Sequence, residues 1–153
     1  MPRPIPEGMH TLTPSLNVEG AAEAIEFYKR AFGAEERFRA LDPSGKKVWH
    51  AELRIGDSVL FVADTAPEMG ATPSFSTLWI YTENVDAAFD RAVKAGAKVT
   101  MPVADMFWGD RMGSLVDRWN IKWSLATHVK DLSPEETKKA QDAFVAQMEQ
   151  QKK

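Results

Sequence analysis

Residues 16–38, LNVEGAAEAIEFYKRAFGAEERF, decide the fold because they read as a strand, a helix and the start of another strand. Hydrophobic and polar residues alternate from Thr11 to Val18, which predicts a half-buried strand, and Pro14 places that strand at a sheet edge or a bulge. Between Glu19 and Phe32 the apolar residues recur at intervals of three and four, as on one face of a helix. Gly33 follows where a C-terminal cap belongs. The stretch therefore predicts a β-α-β unit.

The order of elements then repeats along the chain. Further strands are predicted at about Glu35–Leu41, Lys47–Ile55 and Ser58–Ala63, separated by turn residues. A second strand, helix and set of three strands follow, at about Phe75–Thr82, Val85–Ala95, Val99–Pro102, Gly113–Val116 and Lys122–Thr127. The repeated order predicts an α+β chain built from two βαβββ modules.

Turn-forming and helix-capping residues predict boundaries between segments of one domain that spans residues 1–153. Module one covers about 8–64, a linker rich in Pro, Gly and Thr covers 65–74, and module two covers about 75–130. Ser133-Pro134-Glu135-Glu136 combines an N-cap, a proline at the first helical position and acidic residues in the first turn. It predicts a C-terminal helix over 133–150, which is either a solvated tail or an arm that covers a neighbour.

The composition excludes several classes of function. The chain has 153 residues, of which 44% are hydrophobic, and a net charge of −3, so it offers no basic field for nucleic acid or an anionic membrane. It contains no cysteine, which excludes a disulfide scaffold, a thiolate nucleophile and a cysteine-based metal site. No apolar run has the length of a signal peptide or a membrane span, so a cytoplasmic location is expected.

Three segments carry a resemblance to a known family. They are residues 16–38 quoted above, HAELRIGDSVLFVAD at 50–64 and GDRMGSLVDRWNIKWSLATHV at 109–129. Together they resemble the vicinal oxygen chelate superfamily, which includes glyoxalase I, bleomycin-resistance proteins and extradiol dioxygenases, and within it the small PhnB-like proteins. The resemblance implies paired βαβββ modules whose curved mixed sheets form a cleft, in a homodimer.

One turn departs from the PhnB-like pattern. That branch commonly has Asp-Pro-Phe-Gly-His before its last strand, whereas this chain has Asp117-Arg118-Trp119-Asn120-Ile121. Asn120 is expected to take the left-handed conformation that glycine would otherwise supply.

The resemblance also implies positions for the metal ligands that catalytic members carry. These positions fall on Thr13, Leu60, Thr77 and Ser124, and none of these side chains is a strong ligand for Fe, Ni, Zn or Mn. The prediction is a protein with no metal and no cofactor.

The three histidines provide few further candidates for metal ligands. Of the three, only His50 is expected inside a strand, where Glu52 and Arg54 share its face. His50 and Glu52 could together hold an ion, or they could bond to each other or to Arg54 on a solvated wall. They are also the weak candidates for catalysis, with Glu52 as general base and His50 as its partner.

Strand alternation predicts which residues line the cleft, because the mixed face of each strand should look away from the helices. Trp79 is the foremost candidate for contact with a ligand. Trp108 and Arg111 lie on a glycine-bearing loop suited to stacking a planar ligand, although Trp108 could instead fill the dimer interface or cap the core, and Arg111 could form a structural ion pair. The predicted ligand-binding residues are Thr13, Ser15, His50, Glu52, Arg54, Leu60, Thr77, Trp79, Trp108, Arg111 and Ser124.

Three functions stay open at this point. The favoured hypothesis is a metal-free protein that binds a small, partly aromatic drug or metabolite, as bleomycin-resistance proteins do. The second is a glyoxalase-like lyase, isomerase or dioxygenase, whose chemistry requires a metal ion as Lewis acid or oxygen carrier. The third is a regulatory or structural dimer that binds no ligand.

Overall fold

The computed structural model describes all residues from Met1 to Lys153 and follows the predicted order of elements. Each βαβββ unit contributes four strands and one helix, and a third helix ends the chain. The first unit contains β1 (Ser15–Val18), α1 (Ala21–Phe32), β2 (Glu35–Leu41), β3 (Val48–Ile55) and β4 (Ser58–Asp64). A short 3-10 turn at Pro67–Met69 leads to β5 (Thr77–Tyr81), α2 (Val85–Ala95), β6 (Lys98–Asp105), β7 (Asp110–Val116), β8 (Lys122–His128) and α3 (Pro134–Gln151).

The two units have the same sheet topology. In the first sheet the strand order is β1-β4-β3-β2, and in the second it is β5-β8-β7-β6. The first and last strands of each unit pair in parallel, and the other neighbours pair antiparallel. The predicted fold class and the internal repeat are confirmed.

Each sheet buries one face against its helices and leaves the other open. In the first sheet Leu16, Leu53 and Val62 point into the helix-side core, where Ala24 and Ile25 of α1 meet them. We call the opposite surface the first open face; it carries Ser15, Asn17, Phe38, His50, Glu52 and Phe61. The corresponding second open face carries Thr77, Trp79, Tyr81, Asp110, Ser114, Ser124 and His128.

The predicted orientation of β4 is wrong. Leu60 lies opposite Leu53 in the register of β3 and β4 and is only 4% exposed, so its side chain belongs to the core. Phe61, which pairs with Glu52 and Ser15, takes the open-face position instead. The Gly56-Asp57 turn places Ser58 opposite Ile55 and thereby sets this phase. Val62, which shares the strand parity of Leu60, is buried in the same core.

The two modules meet through their helices and through one buried carboxylate. Helix α1 packs on α2, whereas strands of different modules make no comparable contact. Asp117 accepts hydrogen bonds from the Tyr28 hydroxyl of α1 at 2.8 Å and from Trp123 Nε1 at 2.9 Å. Burial, followed by the charge of Asp117, raises the pKa of Tyr28 far above its usual value, so this hydroxyl stays a donor. Asn120 has φ 63°, which confirms its predicted left-handed conformation.

Strand alternation predicts that Trp49 and Trp123 both face the core, and this is right for Trp123 only. Trp123 is 1% exposed, and its ring centroid is 4.4 Å from that of Phe32. Trp49 is 56% exposed. A register shift between β2 and β3 places His50 opposite Ala40 and Val48 opposite Leu41, which leaves Trp49 unpaired at a bulge.

Helix α3 begins as predicted but contacts little of the domain. Ser133 and Glu136 form a reciprocal capping box. No residue of α3 is buried, and Phe144 makes a ring contact with Phe107 at 5.3 Å between centroids. None of the three helices has the combination of length and apolar character needed to cross a bilayer.

Candidate ligand site

The second open face presents large aromatic rings to solvent. Trp79 and Tyr81 alternate along the edge strand β5, are 44% and 62% exposed, and have ring centroids 6.0 Å apart. Beside them, the buried hydroxyl of Ser124 lies 3.0 Å from that of Ser114. Thr77 is exposed at the start of the same strand. The result is an amphipathic surface with stacking area and polar groups, as ligand sites generally have.

A buried carboxylate organises one end of this face. Asp110 is only 3% exposed and accepts hydrogen bonds from Tyr81 Oη at 2.9 Å and from Trp108 Nε1 at 3.0 Å. His128 Nδ1 lies 2.8 Å from the other oxygen of Asp110, and His128 Nε2 lies 2.7 Å from Asp131 Oδ1. We call these five residues the Asp110 cluster. The Asp110 cluster joins strands β5, β7 and β8 to the loop that precedes β7 and to the segment that leads to α3.

The electrostatics of the Asp110 cluster favour an ionised pair. Burial works to raise the pKa of Asp110, but the hydrogen bonds from His128, Tyr81 and Trp108 outweigh it and leave that pKa below its usual value. The hydrogen bond to Asp110, and next the one to Asp131, raise the pKa of His128. The bond to Asp110 also raises the pKa of Tyr81, which keeps its hydroxyl protonated as a donor.

The first open face carries the weak catalytic candidates. His50 Nε2 and Glu52 Oε1 are 3.8 Å apart, which is longer than a hydrogen bond. The His50 ring instead packs edge-on against Phe61, with centroids 4.7 Å apart. Arg54 is exposed and its Nε donates to the carbonyl of Gly56 at 2.8 Å. No third polar group joins His50 and Glu52, so the arrangement has no oriented acid–base pair.

A groove of about 600 Å³ lies between the modules and joins some of the predicted residues. Thr13, Leu60 and Trp79 border it, together with Tyr81 and the ring of Phe32. The prediction of one cleft lined by both sheets is therefore only partly realised, because His50, Glu52 and Ser124 lie outside this groove. Ser15 is exposed on the first open face, near its edge.

The predicted placement of Arg111 in the cleft is wrong. Arg111 has the opposite parity to Asp110 and Met112, so it lies on the helix side of the second sheet. Its guanidinium binds both carboxylate oxygens of Asp86 at 2.9 Å and one oxygen of Asp105 at 3.2 Å. It forms a structural ion pair, and the partners are Asp86 and Asp105 rather than the adjacent Asp110. Trp108, in contrast, lies beside the second open face through its bond to Asp110.

Sequence reasoning missed part of the Asp110 cluster. His128 was expected after the last strand, but β8 continues through it and pairs it with Asp110. The alternation Ser124, Ala126, His128 could have indicated this extension. Asp131 lies in an irregular segment and gave no comparable signal.

The comparisons with known proteins fix the family. The family model described as Glyoxalase/Bleomycin resistance protein/Dioxygenase superfamily matches residues 9–125. The chain belongs to this superfamily. A Mycobacterium tuberculosis H37Rv protein, Rv0887c, is 38% identical over 140 residues, covering 84% of this chain and 81% of that protein. Protein YjdN of Escherichia coli K12 is 28% identical over 137 residues, covering 74% of this chain and 92% of that protein.

Solved structures show the same superfamily fold. TioX from Micromonospora sp. ML1 aligns with a TM-score of 0.66 and 23% identity, covering 78% of this chain and 99% of that one. The Arabidopsis thaliana gene product At5g48480 aligns with a TM-score of 0.60 and 26% identity, covering 76% of this chain and 96% of that one.

The residues of this superfamily member do not fit a divalent metal. No group of three or more His, Asp or Glu side chains lies close enough to hold one. Leu60 is in the core, and Thr13, Thr77 and Ser124 offer only hydroxyls, which are weak ligands for transition metals. In the Asp110 cluster the two carboxylates contact opposite ring nitrogens of His128, so the three groups do not converge on one point.

Proposed function

We propose that this chain is a metal-free binding protein for a small, planar, partly aromatic molecule, which lies on the Trp79–Tyr81 surface. The ligand is a drug or a metabolite, as for bleomycin-resistance proteins, and an antibiotic is one such class. The proposal includes membership of the PhnB-like branch, whose motifs the chain resembles.

The exposed rings on β5 are the observation that carries this proposal. A sheet face normally buries such residues or replaces them with polar ones, yet Trp79 and Tyr81 stay open beside hydroxyl groups. Aromatic stacking in an offset or edge-to-face geometry stabilises a planar ligand beyond the area that it buries. Without a set of strong metal ligands, the lyase and dioxygenase mechanisms of the superfamily have no support in these side chains.

A second copy of the chain is part of the proposal, as partner in a homodimer. The chain exposes 10297 Å², whereas a compact monomer of 17.1 kDa exposes about 7,800 Å². An excess of about 2,500 Å² is at the upper end of the area that one subunit buries in an obligate dimer. The first open face and the apolar residues of α3, which include Phe144, Val145 and Met148, supply this surface, and the Trp79–Tyr81 surface is left to the ligand.

Binding of a ligand panel tests the proposal. Planar antibiotics and aromatic metabolites would be titrated calorimetrically into the wild type, Trp79→Ala and Trp49→Ala. We expect the Trp79 variant to weaken binding roughly tenfold or more. Trp49 is the matched control because it is a comparably exposed tryptophan in the other module. Equal affinity in all three proteins, or no binding by any compound, would refute the proposal.

Two further measurements test the metal-free and dimeric parts separately. Elemental analysis after mild chelation should find no stoichiometric Fe, Ni, Zn or Mn, and one equivalent per chain would overturn the metal-free part. Sedimentation velocity should give a dimer of about twice the chain mass of 17.1 kDa. A monomer at micromolar concentration would contradict the dimer while leaving the ligand proposal to the titrations.

A further inference from the structure

The Asp110 cluster points to the charge of the ligand. We infer that the molecule bound at the Trp79–Tyr81 surface is an aromatic carboxylate whose acid group binds His128 Nε2. This inference rests on the proposed function and narrows it to one chemical class.

The chain itself fixes the orientation of the His128 imidazole. Asp110 is buried and holds His128 through Nδ1, while Tyr81 and Trp108 satisfy the rest of that carboxylate. A carboxylate bonded to one ring nitrogen directs the opposite N–H outward. His128 Nε2 therefore presents a donor on a side chain that is 50% exposed, and Tyr81 and His128 share Asp110 as their partner.

An exposed carboxylate of the chain itself already contacts this donor. Asp131 Oδ1 lies 2.7 Å from Nε2, and the Asp131 side chain is fully exposed, with no other hydrogen bond. Exposed ion pairs of this kind contribute little to stability. A ligand carboxylate can thus replace Asp131, one carboxylate for another, without leaving a buried charge unpaired.

Strand register sets the spacing between the Trp79–Tyr81 surface and His128. Tyr81 pairs with Ala126, and His128 lies two residues further along β8 on the same face. Two residues of a strand span about 7 Å. One or two fused rings resting on Tyr81 and Trp79 would bring an attached carboxylate to His128.

Three probes that share the naphthalene ring system test the inference. 2-Naphthoate, 2-naphthamide and 2-naphthylmethylammonium differ in charge but not in stacking area, and their dissociation constants would be measured by calorimetry at pH 6. We expect the acid to bind at least tenfold more tightly than the amide and the cation to bind more weakly than both. His128→Gln should lower the affinity for the acid to that for the amide.

Asp131→Ala gives a second variant that does not threaten the fold, because the side chain is fully exposed. It should strengthen binding of naphthoate severalfold, since it removes both a competitor and a repelling charge. Asp90→Ala, an exposed charge on α2, is the matched control and should have no effect. Equal binding of acid and amide, or weaker acid binding by the Asp131 variant, would overturn the inference. If the amide alone binds and depends on Trp79, the proposed function stands and the carboxylate assignment fails.

Discussion

Replacing Asp117 by alanine tests how the two modules are joined. Its Oδ2 accepts from Tyr28 and Trp123, and its Oδ1 accepts from the backbone N–H groups of Trp119 at 2.9 Å and Ile121 at 3.0 Å. Tyr28 and Trp123 are 0% and 1% exposed, so water cannot replace the lost acceptor for either of them.

The expected loss of stability follows from these unpaired donors. Each buried donor left without a partner costs about 1–3 kcal/mol. Two such side chains, together with two backbone groups in a half-buried turn, predict a loss of about 3–5 kcal/mol in the free energy of unfolding. For a chain of this size that loss lowers the melting temperature by roughly 10 °C.

Urea denaturation followed by circular dichroism and tryptophan fluorescence measures this loss, at one fixed protein concentration. Tyr28→Phe removes one donor without stranding another group, so we expect about 1 kcal/mol. In the variant that carries both Tyr28→Phe and Asp117→Ala, the loss of stability should be smaller than the sum of the two single losses, because phenylalanine leaves no buried hydroxyl unpaired. Asp57→Ala, in an exposed turn, is the control. A loss below about 1 kcal/mol in the free energy of unfolding for Asp117→Ala would refute the role of Asp117 in joining the two modules.

Two other predictions concern single positions. Asn120→Ala should destabilise the chain by about 1 kcal/mol, because φ 63° strains a side chain that lacks the local bonding of asparagine, whereas Asn120→Gly should be near neutral; equal melting temperatures for the two variants would contradict this. His128 has a raised pKa, owing first to its hydrogen bond with Asp110 and then to the one with Asp131. Tyr81, which donates to Asp110, is the other titratable group in contact with this carboxylate. The stability that His128 contributes is therefore complete below its unfolded pKa of about 6.5 and is lost as the pH rises through the folded value. Denaturation midpoints between pH 5.5 and 8.5 should fall more steeply for the wild type than for His128→Gln, and parallel profiles would refute the assignment.

The sequence by itself determined the elements and their repetition. The helix over Ala21–Phe32 and its counterpart over Val85–Ala95 follow from apolar spacing and from the glycines that end them. The paired modules then follow from the repeated order. The family pattern that the chain resembles has a glycine in this turn, and asparagine at position 120 is one of the few other residue types that tolerate the left-handed region. These properties are local, so a short window of residues contains the necessary information.

The tertiary structure alone decided which face β4 turns outward and which charges meet. Residues 59–62 read Val-Leu-Phe-Val, which is apolar on both faces, so alternation could not tell Leu60 from Phe61. Pairing with β3 made that choice. Arg111 bonds to Asp86 and Asp105, and Asp110 bonds to His128. All three pairs join residues from different elements, and their geometry exists only after the strands have paired and the helix has packed on the sheet.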